Sequence, residues 1–449
     1  MKRHRQVGLL IIFLALVSIS AGWWLTPKLL ASLPDQVQSR LPESLYAVIH
    51  TPLPRALPAP EKTSKLISPT NIVPINANVR SGQTSNLPDT DDNRVVSVKS
   101  LEAEKVGVRL TTTPPQGEQN NTQPSPPVAA HIPGLTIIAQ KFNNCGPANL
   151  TMVLDYYGYE TDQELIGDSL KPNYEDRNVS PHELVSYVNE NTPFLANAYR
   201  GGDLLLLQRL LADGFPVIIE KGLWLDVKEG WMGHYLTLVG YDDTEQSFLS
   251  LDTFLGPWDG GGRLVSYDEV SEKWHQFNNM FIVIRPPKEE ERFQTLLPPE
   301  FSNSEEMWQG AALRADSMLL EDDEDAFTWF NLGASLTNLG ELTGNISQFE
   351  SATIAFDRAR ELGLPWRMLW YQFEPYQAYL VAGRIDDVKL LTEVILIYEG
   401  GRNLEETYLY RGHALLAEGD RAGAEGAYKK ALRLNPSMTT AQTALDLLE

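Results

Sequence analysis

The stretch Gln140-Lys-Phe-Asn-Asn-Cys145-Gly-Pro-Ala-Asn149 decides the fold of the central part of the chain. Apolar residues follow it at the spacing of one helix face, namely Leu150, Val153, Leu154 and Tyr157. Gly158 stands where such a helix would end. Pro147 suits the first turn, where a missing N–H costs nothing. The pattern therefore predicts a helix that begins at Cys145.

Cys145 is the only cysteine among 449 residues, so the sequence can form no intramolecular disulfide and no four-thiolate metal site. A helix amino terminus favours negative charge, because the free backbone amides and the helix dipole both stabilise an anion there. This position lowers the pKa of a thiol and makes Cys145 a candidate nucleophile. The alternative is a buried structural cysteine that acts as a small hydrophobic residue.

A candidate base lies in Gly230-Trp-Met-Gly-His234-Tyr-Leu-Thr-Leu-Val-Gly-Tyr241, which has the pattern of a β-strand led by glycine. A second β-rich run, 247–253, follows a polar turn at 242–246, so the two predict a hairpin. If Gly240 opposes Gln246, Asp252 lies across from His234, and a slip of two residues leaves the pair diagonal. Asp252 could then orient the imidazole.

Cys145, His234 and Asp252 form the minimum set for nucleophilic attack on an acyl carbon. Gln140, five residues before the cysteine, can add its side-chain amide to the backbone N–H of Cys145 as an oxyanion hole. Asp242 or Asp243 could replace Asp252 as the group that orients the histidine, although both are typical turn residues. No second closely spaced pair of ligands accompanies Cys145, so we expect neither a metal nor another cofactor.

At these residues the sequence resembles the papain-like peptidase family that removes double-glycine leaders from bacteriocin precursors, and especially its stand-alone bacterial relatives. The resemblance covers about 155 residues and is carried by Gln140, the run around Cys145, the His234 strand and Asp252. It implies an α+β papain-like fold and cofactor-free hydrolysis of peptide bonds, but not the leader substrate. Thr253 follows Asp252 where relatives usually have proline.

Other residues of the same segment favour structural roles. His182 follows Ser180, which with Glu183 forms a predicted capping box, so we interpret His182 as a solvated residue of a first helical turn. His131 and His275 lack motif context. Three tryptophans surround the predicted strand loops and could line a substrate cleft or pack in the core: Trp224, Trp231 and Trp258.

The net charge of −22 is unevenly distributed: +4 in residues 1–130, −12 in residues 131–287 and −14 in residues 288–449. Acidic segments repel phosphate backbones and lack the stripe of Lys and Arg that nucleic-acid binding requires. We therefore expect no nucleic-acid partner and retain a peptide or protein substrate.

The amino terminus has the pattern of a membrane-targeting segment. Lys2, Arg3 and Arg5 precede an apolar stretch, 7–25, that ends in a Trp pair. This length is close to the span of a bilayer core, and the charges predict a cytoplasmic amino terminus with the folded domains outside the cell membrane. Residues 1–27 are thus expected to be a membrane anchor, or a cleaved signal segment in a secreted protein. Residues 28–130, rich in Pro, Ser, Thr and Asn, are expected to be an extended linker.

The carboxy-terminal third resembles the tetratricopeptide repeat. One copy contains small, aromatic and proline residues at the typical offsets: Tyr408, Gly412, Leu415, Gly419, Ala424, Tyr428, Ala431 and Pro436. An earlier copy begins near Trp329, a degenerate copy lies around Tyr379 and Gly383, and a capping helix is expected at 439–448. A generic helical bundle is the alternative. Such arrays bind protein partners or extended peptides, so we expect a protein partner here.

The sequence therefore predicts an α+β papain-like cysteine peptidase domain at 131–287 and an all-α solenoid of tetratricopeptide-like repeats at 300–449. The chain is expected to be a membrane-anchored, extracytoplasmic enzyme that hydrolyses peptide bonds. Two alternatives remain open. The same residues could perform other acyl chemistry such as cell-wall amide hydrolysis, or the chain could be a catalytically silent adaptor scaffold.

Overall fold

The computed structural model describes residues 56–60, 125–225 and 230–448. The expected membrane-targeting segment, 1–27, and most of the expected linker lie outside these residues. Within the described ranges, no helix combines the length and apolar character that a bilayer crossing requires.

A seven-stranded sheet forms the centre of the region that contains Cys145 and His234. Its seven strands are β1 Ala129–His131, β2 Leu195–Tyr199, β3 Val217–Trp224, β4 Trp231–Asp242, β5 Ser247–Leu251, β6 Arg263–Ser266 and β7 Phe281–Arg285. Six of them pair in the order β2-β7-β3-β4-β5-β6, and β1 pairs with the end of β4. All pairings are antiparallel. The long strand β4 contacts three other strands, so it is fixed along its whole length.

Helices cover this sheet: α1 Cys145–Tyr156, α2 Gln163–Leu170, α3 Pro181–Asn191, α4 Leu204–Ala212, α5 Tyr267–Trp274 and α6 Glu290–Leu296. The leucines of α4 pack with buried residues of β3, β4 and β7 in the main core. A smaller cluster joins Met152 of α1 to Val239 and Leu251 of the hairpin. An antiparallel sheet with helices packed against it fits the expected papain-like domain.

The β4–β5 hairpin confirms the predicted turn but not the first of the two predicted registers. Gly240 pairs with Leu249 rather than Gln246, and an irregularity between Leu238 and Gly240 shifts the ladder by one residue. Beyond it Thr237 pairs with Leu251. Bulges of this kind insert a residue into one strand and bend it, and sequence alternation does not reveal them. The observed pairing is the diagonal alternative.

The described residues from 304 onward are mainly helical: α7 Ser304–Glu321, α8 Ala326–Thr343, α9 Ile346–Glu361, α10 Glu374–Val381, α11 Ile385–Ile397, α12 Glu405–Ala417, α13 Arg421–Leu434 and α14 Thr439–Asp446. Short 3₁₀ turns connect elements at 275–277, 287–289, 299–301, 366–370 and 400–403. Two glycines allow close approach of paired helices. Gly333 of α8 lies against the ring of Phe356 in α9, and Gly412 of α12 lies against the ring of Tyr428 in α13.

The helical region packs on the sheet domain next to strand β4. Tyr371 contacts Trp231 and Phe277, with 5.9 Å between ring centroids in each pair, and its ring also lies against Gly233. The side chain of Asn278 donates to the Ser335 hydroxyl over 2.9 Å. The two regions therefore share a buried boundary and are not separated by a free linker.

The expected linker is not uniformly extended away from the folded regions. Ala56 forms a β-bridge with Pro365, and the side chain of Leu57 is buried. A Pro-rich composition indicates an extended backbone, but it does not predict where such a segment docks.

Candidate active site

Helix α1 begins at Cys145, as predicted, and ends just before Gly158, whose φ is +80°. Asn144 precedes the helix and its side chain caps no backbone amide. The amides of the first turn therefore remain available. The backbone groups of Gly146 and Tyr235 hydrogen-bond to the partly exposed Cys145 thiol, which places the sulfur between α1 and β4.

His234 lies in β4 with 3% of its surface exposed. Its Nε2 is 2.9 Å from Oδ1 of Asp252, and a second hydrogen bond joins the ring to the Cys145 thiol. Since Nε2 is engaged by the carboxylate, Nδ1 is the nitrogen left for the thiol. The structure thus brings the three predicted residues together in the order thiol, imidazole, carboxylate.

Asp252 follows the last residue of β5 and is 1% exposed. Its Oδ1 also accepts hydrogen bonds from the backbone N–H groups of Phe254, at 3.0 Å, and Leu255, at 2.8 Å. The side chain therefore forms a turn with its own following residues. This turn points the carboxylate at His234 even though the two residues are diagonal in the ladder.

The electrostatics favour a charged pair at this site. Burial alone would raise the pKa of the Cys145 thiol, but the hydrogen bond and positive charge of His234 outweigh burial and lower that pKa. Burial would lower the pKa of His234, but the Asp252 carboxylate raises it to about 9. Burial likewise opposes the Asp252 charge, yet His234 holds the pKa of Asp252 at about 2. The direction of each shift favours the charged form of the group: thiolate, imidazolium and carboxylate.

Gln140 is held in place by Thr253, the residue after Asp252. Its backbone N–H donates to the carbonyl of Thr253 over 2.9 Å, and its Oε1 accepts the Thr253 hydroxyl over 2.9 Å. Because Oε1 is engaged, Nε2 is the group free to donate a hydrogen bond. Thr253 therefore supplies a hydroxyl that orients Gln140.

Asn149, the last residue of the motif around Cys145, contributes to the structure of the site. Its Nδ2 donates to the carbonyls of Cys145, at 2.8 Å, and Tyr235, at 3.0 Å. Its Oδ1 accepts the Thr237 hydroxyl over 2.6 Å. This fully buried amide ties α1 to β4. An asparagine four residues after the cysteine, among apolar helix positions, is the signal that could have identified it.

The alternative carboxylates are engaged elsewhere. Asp242 accepts the backbone N–H of Thr244 over 2.8 Å in the hairpin turn. Asp243 accepts the Tyr267 hydroxyl over 2.7 Å and the Gln208 amide over 2.6 Å. The structure therefore places neither of them on His234.

The remaining candidates have structural positions. His182 is exposed at the start of α3, and the predicted capping box is present, with the Ser180 N–H donating to Glu183 over 2.7 Å. His275 lies 3.1 Å from Asp325 of the helical region. No group of three or more potential metal ligands occurs within the ranges that the structure describes.

The tryptophans divide between core and surface. Trp231 is buried and stacks on Phe277, whereas Trp224 and Trp258 are exposed. Trp258 belongs to the site region, because its indole N–H donates to the carbonyl of Thr253 over 3.2 Å. Phe254 is also exposed, and its ring centroid is 6.1 Å from that of His234. Aromatic surface therefore borders the catalytic-type residues.

Residues 119–281 match the Peptidase_C39 like family. This segment contains Gln140, Cys145, His234 and Asp252. No curated protein matches the chain.

Three solved structures are similar to about a third of the chain. A C39-like peptidase from Bacillus anthracis is 17% identical, with 35% of this chain and 97% of that chain covered and a TM-score of 0.29. A double glycine motif protease from an AMS/PCAT transporter, in complex with its leader peptide, is 19% identical, with coverages of 36% and 99% and a TM-score of 0.27. The peptidase domain of Streptococcus ComA, a bi-functional ABC transporter, is 16% identical, with coverages of 34% and 99% and a TM-score of 0.26.

At these identities and TM-scores the solved structures show only a partial similarity. The assignment as a peptidase therefore depends on the family match. This match covers most of the sheet domain, ends at Phe281, the first residue of β7, and includes none of the helices α7–α14. The protein is a cysteine-type peptidase, with the segment 119–281 similar to the Peptidase_C39 like family.

Proposed function

We propose that the chain hydrolyses peptide bonds through Cys145, His234, Asp252 and Gln140. His234 holds the proton of Cys145, and the thiolate attacks the carbonyl carbon of the substrate. The backbone N–H of Cys145 and Nε2 of Gln140 stabilise the oxyanion. The C–N bond then breaks as His234 gives its proton to the leaving amine. Water, deprotonated by His234, cleaves the thioester and releases the acid product and the free thiol.

One observation carries this proposal: the 2.9 Å contact of His234 Nε2 with Asp252 in a ring whose other hydrogen bond is to the Cys145 thiol. Both the imidazole and the carboxylate are almost fully buried. Burying two charged groups costs free energy unless they are paired, so a buried, paired arrangement beside a partly exposed thiol favours a catalytic role over a silent scaffold.

The proposal is tested by incubating wild type and Cys145→Ala with unfolded polypeptides and detecting new amino termini. We expect cleavage by wild type and at least about a thousandfold slower cleavage by the variant, because the nucleophile is lost. Circular dichroism controls for folding. Cleavage retained by Cys145→Ala would refute the mechanism. Cell-wall fragments are assayed in parallel, and turnover of these fragments alone would favour the alternative acyl chemistry.

We also propose that residues 300–449 are tetratricopeptide-like repeats that bind a protein partner or substrate. The support is the recurring contact of a helix glycine with an aromatic ring of the following helix, Gly333 with Phe356 and Gly412 with Tyr428. These contacts occur at the positions that define the repeat pattern. Cross-linking from Tyr408, a partly exposed residue of the same pattern, tests whether a partner binds there.

We propose further that residues 1–27 anchor the enzyme in the cell membrane with its folded regions outside the cytoplasm. The support is the basic cluster Lys2, Arg3 and Arg5 before the apolar stretch 7–25. Protease added to intact cells should then digest the folded regions, whereas a protein in the culture medium that lacks residues 1–27 would indicate a cleaved signal segment.

A further inference from the structure

Residues 56–60, with the sequence Ala-Leu-Pro-Ala-Pro, bind to the helical region through their backbone. Ala56 pairs antiparallel with Pro365, and the N–H of Leu57 donates to the carbonyl of Leu364 over 2.9 Å. The contact is an isolated antiparallel bridge, which uses the same main-chain hydrogen bonding by which extended peptides bind a receptor backbone. It places the Leu57 side chain, 4% exposed, in the helical region.

A buried cation recognises the next backbone carbonyl. Nε of Arg360 donates to the carbonyl of Pro58 over 2.8 Å. Arg360 is 3% exposed, and its Nη1 is held by the carboxylate of Asp387, at 2.7 Å, and by the hydroxyl of Tyr379, at 3.0 Å. Both of these partners belong to the helical region and not to residues 56–60, so the guanidinium is held independently of the segment and little side-chain entropy is lost on binding.

The sequence of the bound segment fits these contacts. Position 57 donates a backbone N–H, so it cannot be proline. Position 58 only accepts a hydrogen bond at its carbonyl, so proline is compatible there. Proline at position 58 also restricts Leu57 to extended backbone, the conformation that the bridge requires. These contacts suit an extended segment with a Leu-Pro pair.

We propose that Arg360, Leu364 and Pro365 form a peptide-binding site for an extended Leu-Pro segment, and that residues 56–60 of the same chain are its resident ligand. This site belongs to the helical region and is independent of the proposed peptidase chemistry. A second Leu-Pro peptide has to compete with the resident segment, whose effective concentration is on the order of millimolar because it is covalently attached.

The test uses the full-length chain and a fluorescent peptide of residues 52–62. Anisotropy measures peptide binding to wild type and to Leu57→Asp, a variant that releases the resident segment by placing a charge in an apolar site. We expect saturable binding to Leu57→Asp and an apparent Kd at least about tenfold weaker for wild type. Circular dichroism checks that the variant is folded, and the milder Leu57→Ala should give an intermediate apparent Kd.

Peptide variants give a matched control that does not depend on folding of the chain. The peptide contains a second Leu-Pro pair, Leu53-Pro54. Leu57→Asp in the peptide should abolish binding, whereas Leu53→Asp should leave it unchanged. Equal binding to wild type and variant chains, absence of binding to the Leu57→Asp chain, or loss of binding with Leu53→Asp in the peptide would each overturn the proposal.

Discussion

The Thr253 hydroxyl donates to Oε1 of Gln140 over 2.9 Å, while the Gln140 backbone N–H donates to the Thr253 carbonyl over the same distance. These two bonds join the loop before the nucleophile to the residue after the carboxylate. They fix the side-chain amide so that Nε2, not Oε1, is available to a substrate. Thr253 is thus a positioning residue for the proposed oxyanion hole.

Thr253→Val should lower kcat by about ten- to a hundredfold, because the Gln140 amide loses the bond that selects its orientation. Thr253→Ser keeps the hydroxyl and should retain most of the activity. In a double-mutant cycle, Thr253→Val should have little further effect in a Gln140→Ala background. Wild-type kcat in Thr253→Val would show that the hydroxyl does not orient Gln140.

Asn149→Ala should destabilise the protein by about 2–4 kcal/mol, because it removes three hydrogen bonds and leaves the carbonyls of Cys145 and Tyr235 buried without that donor. Urea unfolding measures the loss. Asn191→Ala is the matched control. Asn191 makes the same contact with the carbonyl four residues earlier, at 3.0 Å, but is exposed. Similar unfolding free-energy changes in the two variants would argue against the proposed role of Asn149.

The pH dependence of activity should be bell-shaped. The thiolate–imidazolium pair exists above the lowered pKa of Cys145 and below the His234 pKa of about 9, so kcat/KM should fall as pH rises through about 9. Asp252→Asn removes the charge that raises the His234 pKa. The alkaline limb should therefore move to lower pH by at least about one unit. An unchanged alkaline limb of the pH profile would mean that a group other than Asp252 stabilises the imidazolium.

Glu220 gives a pH dependence of stability with a defined sign. Burial raises its pKa from 4.5 to about 8, so the folded state binds the proton more tightly than the unfolded state does. Its contribution to stability is therefore lost as pH rises from about 4.5 to about 8. Glu220→Gln cannot ionise, so the variant should gain stability relative to wild type by more than about 1 kcal/mol between pH 5 and pH 8. A constant difference across this range would contradict the assignment.

Local patterns predicted much of the fold and of the candidate site. The apolar spacing after Cys145 predicted helix α1, and two β-rich runs around a polar turn predicted the hairpin that contains His234. These features depend on neighbouring residues, so the sequence contains them directly. The choice of Asp252 over Asp242 or Asp243 required the structure, because the irregularity between Leu238 and Gly240 sets the register.

Contacts between distant residues were beyond sequence patterns. Tyr371 packs beside Gly233, the neighbour of His234, and Leu57 binds to the helical region. Periodicity reports which face of an element is apolar, but it does not report which surface covers that face. Thr253 is an intermediate case. Its departure from the usual proline was visible in the sequence, whereas its contact with Gln140 was not.

The alkylation rate of Cys145 tests the activated thiol most directly. Iodoacetamide is added to the full-length chain across a range of pH, and wild type is compared with His234→Ala. The single cysteine makes the labelling unambiguous. In wild type we expect rapid labelling at pH values well below about 8.5, the pKa of a free thiol, and in His234→Ala we expect this reactivity to be lost. Slow labelling that does not depend on His234, in a folded protein, would contradict this expectation and favour a structural cysteine.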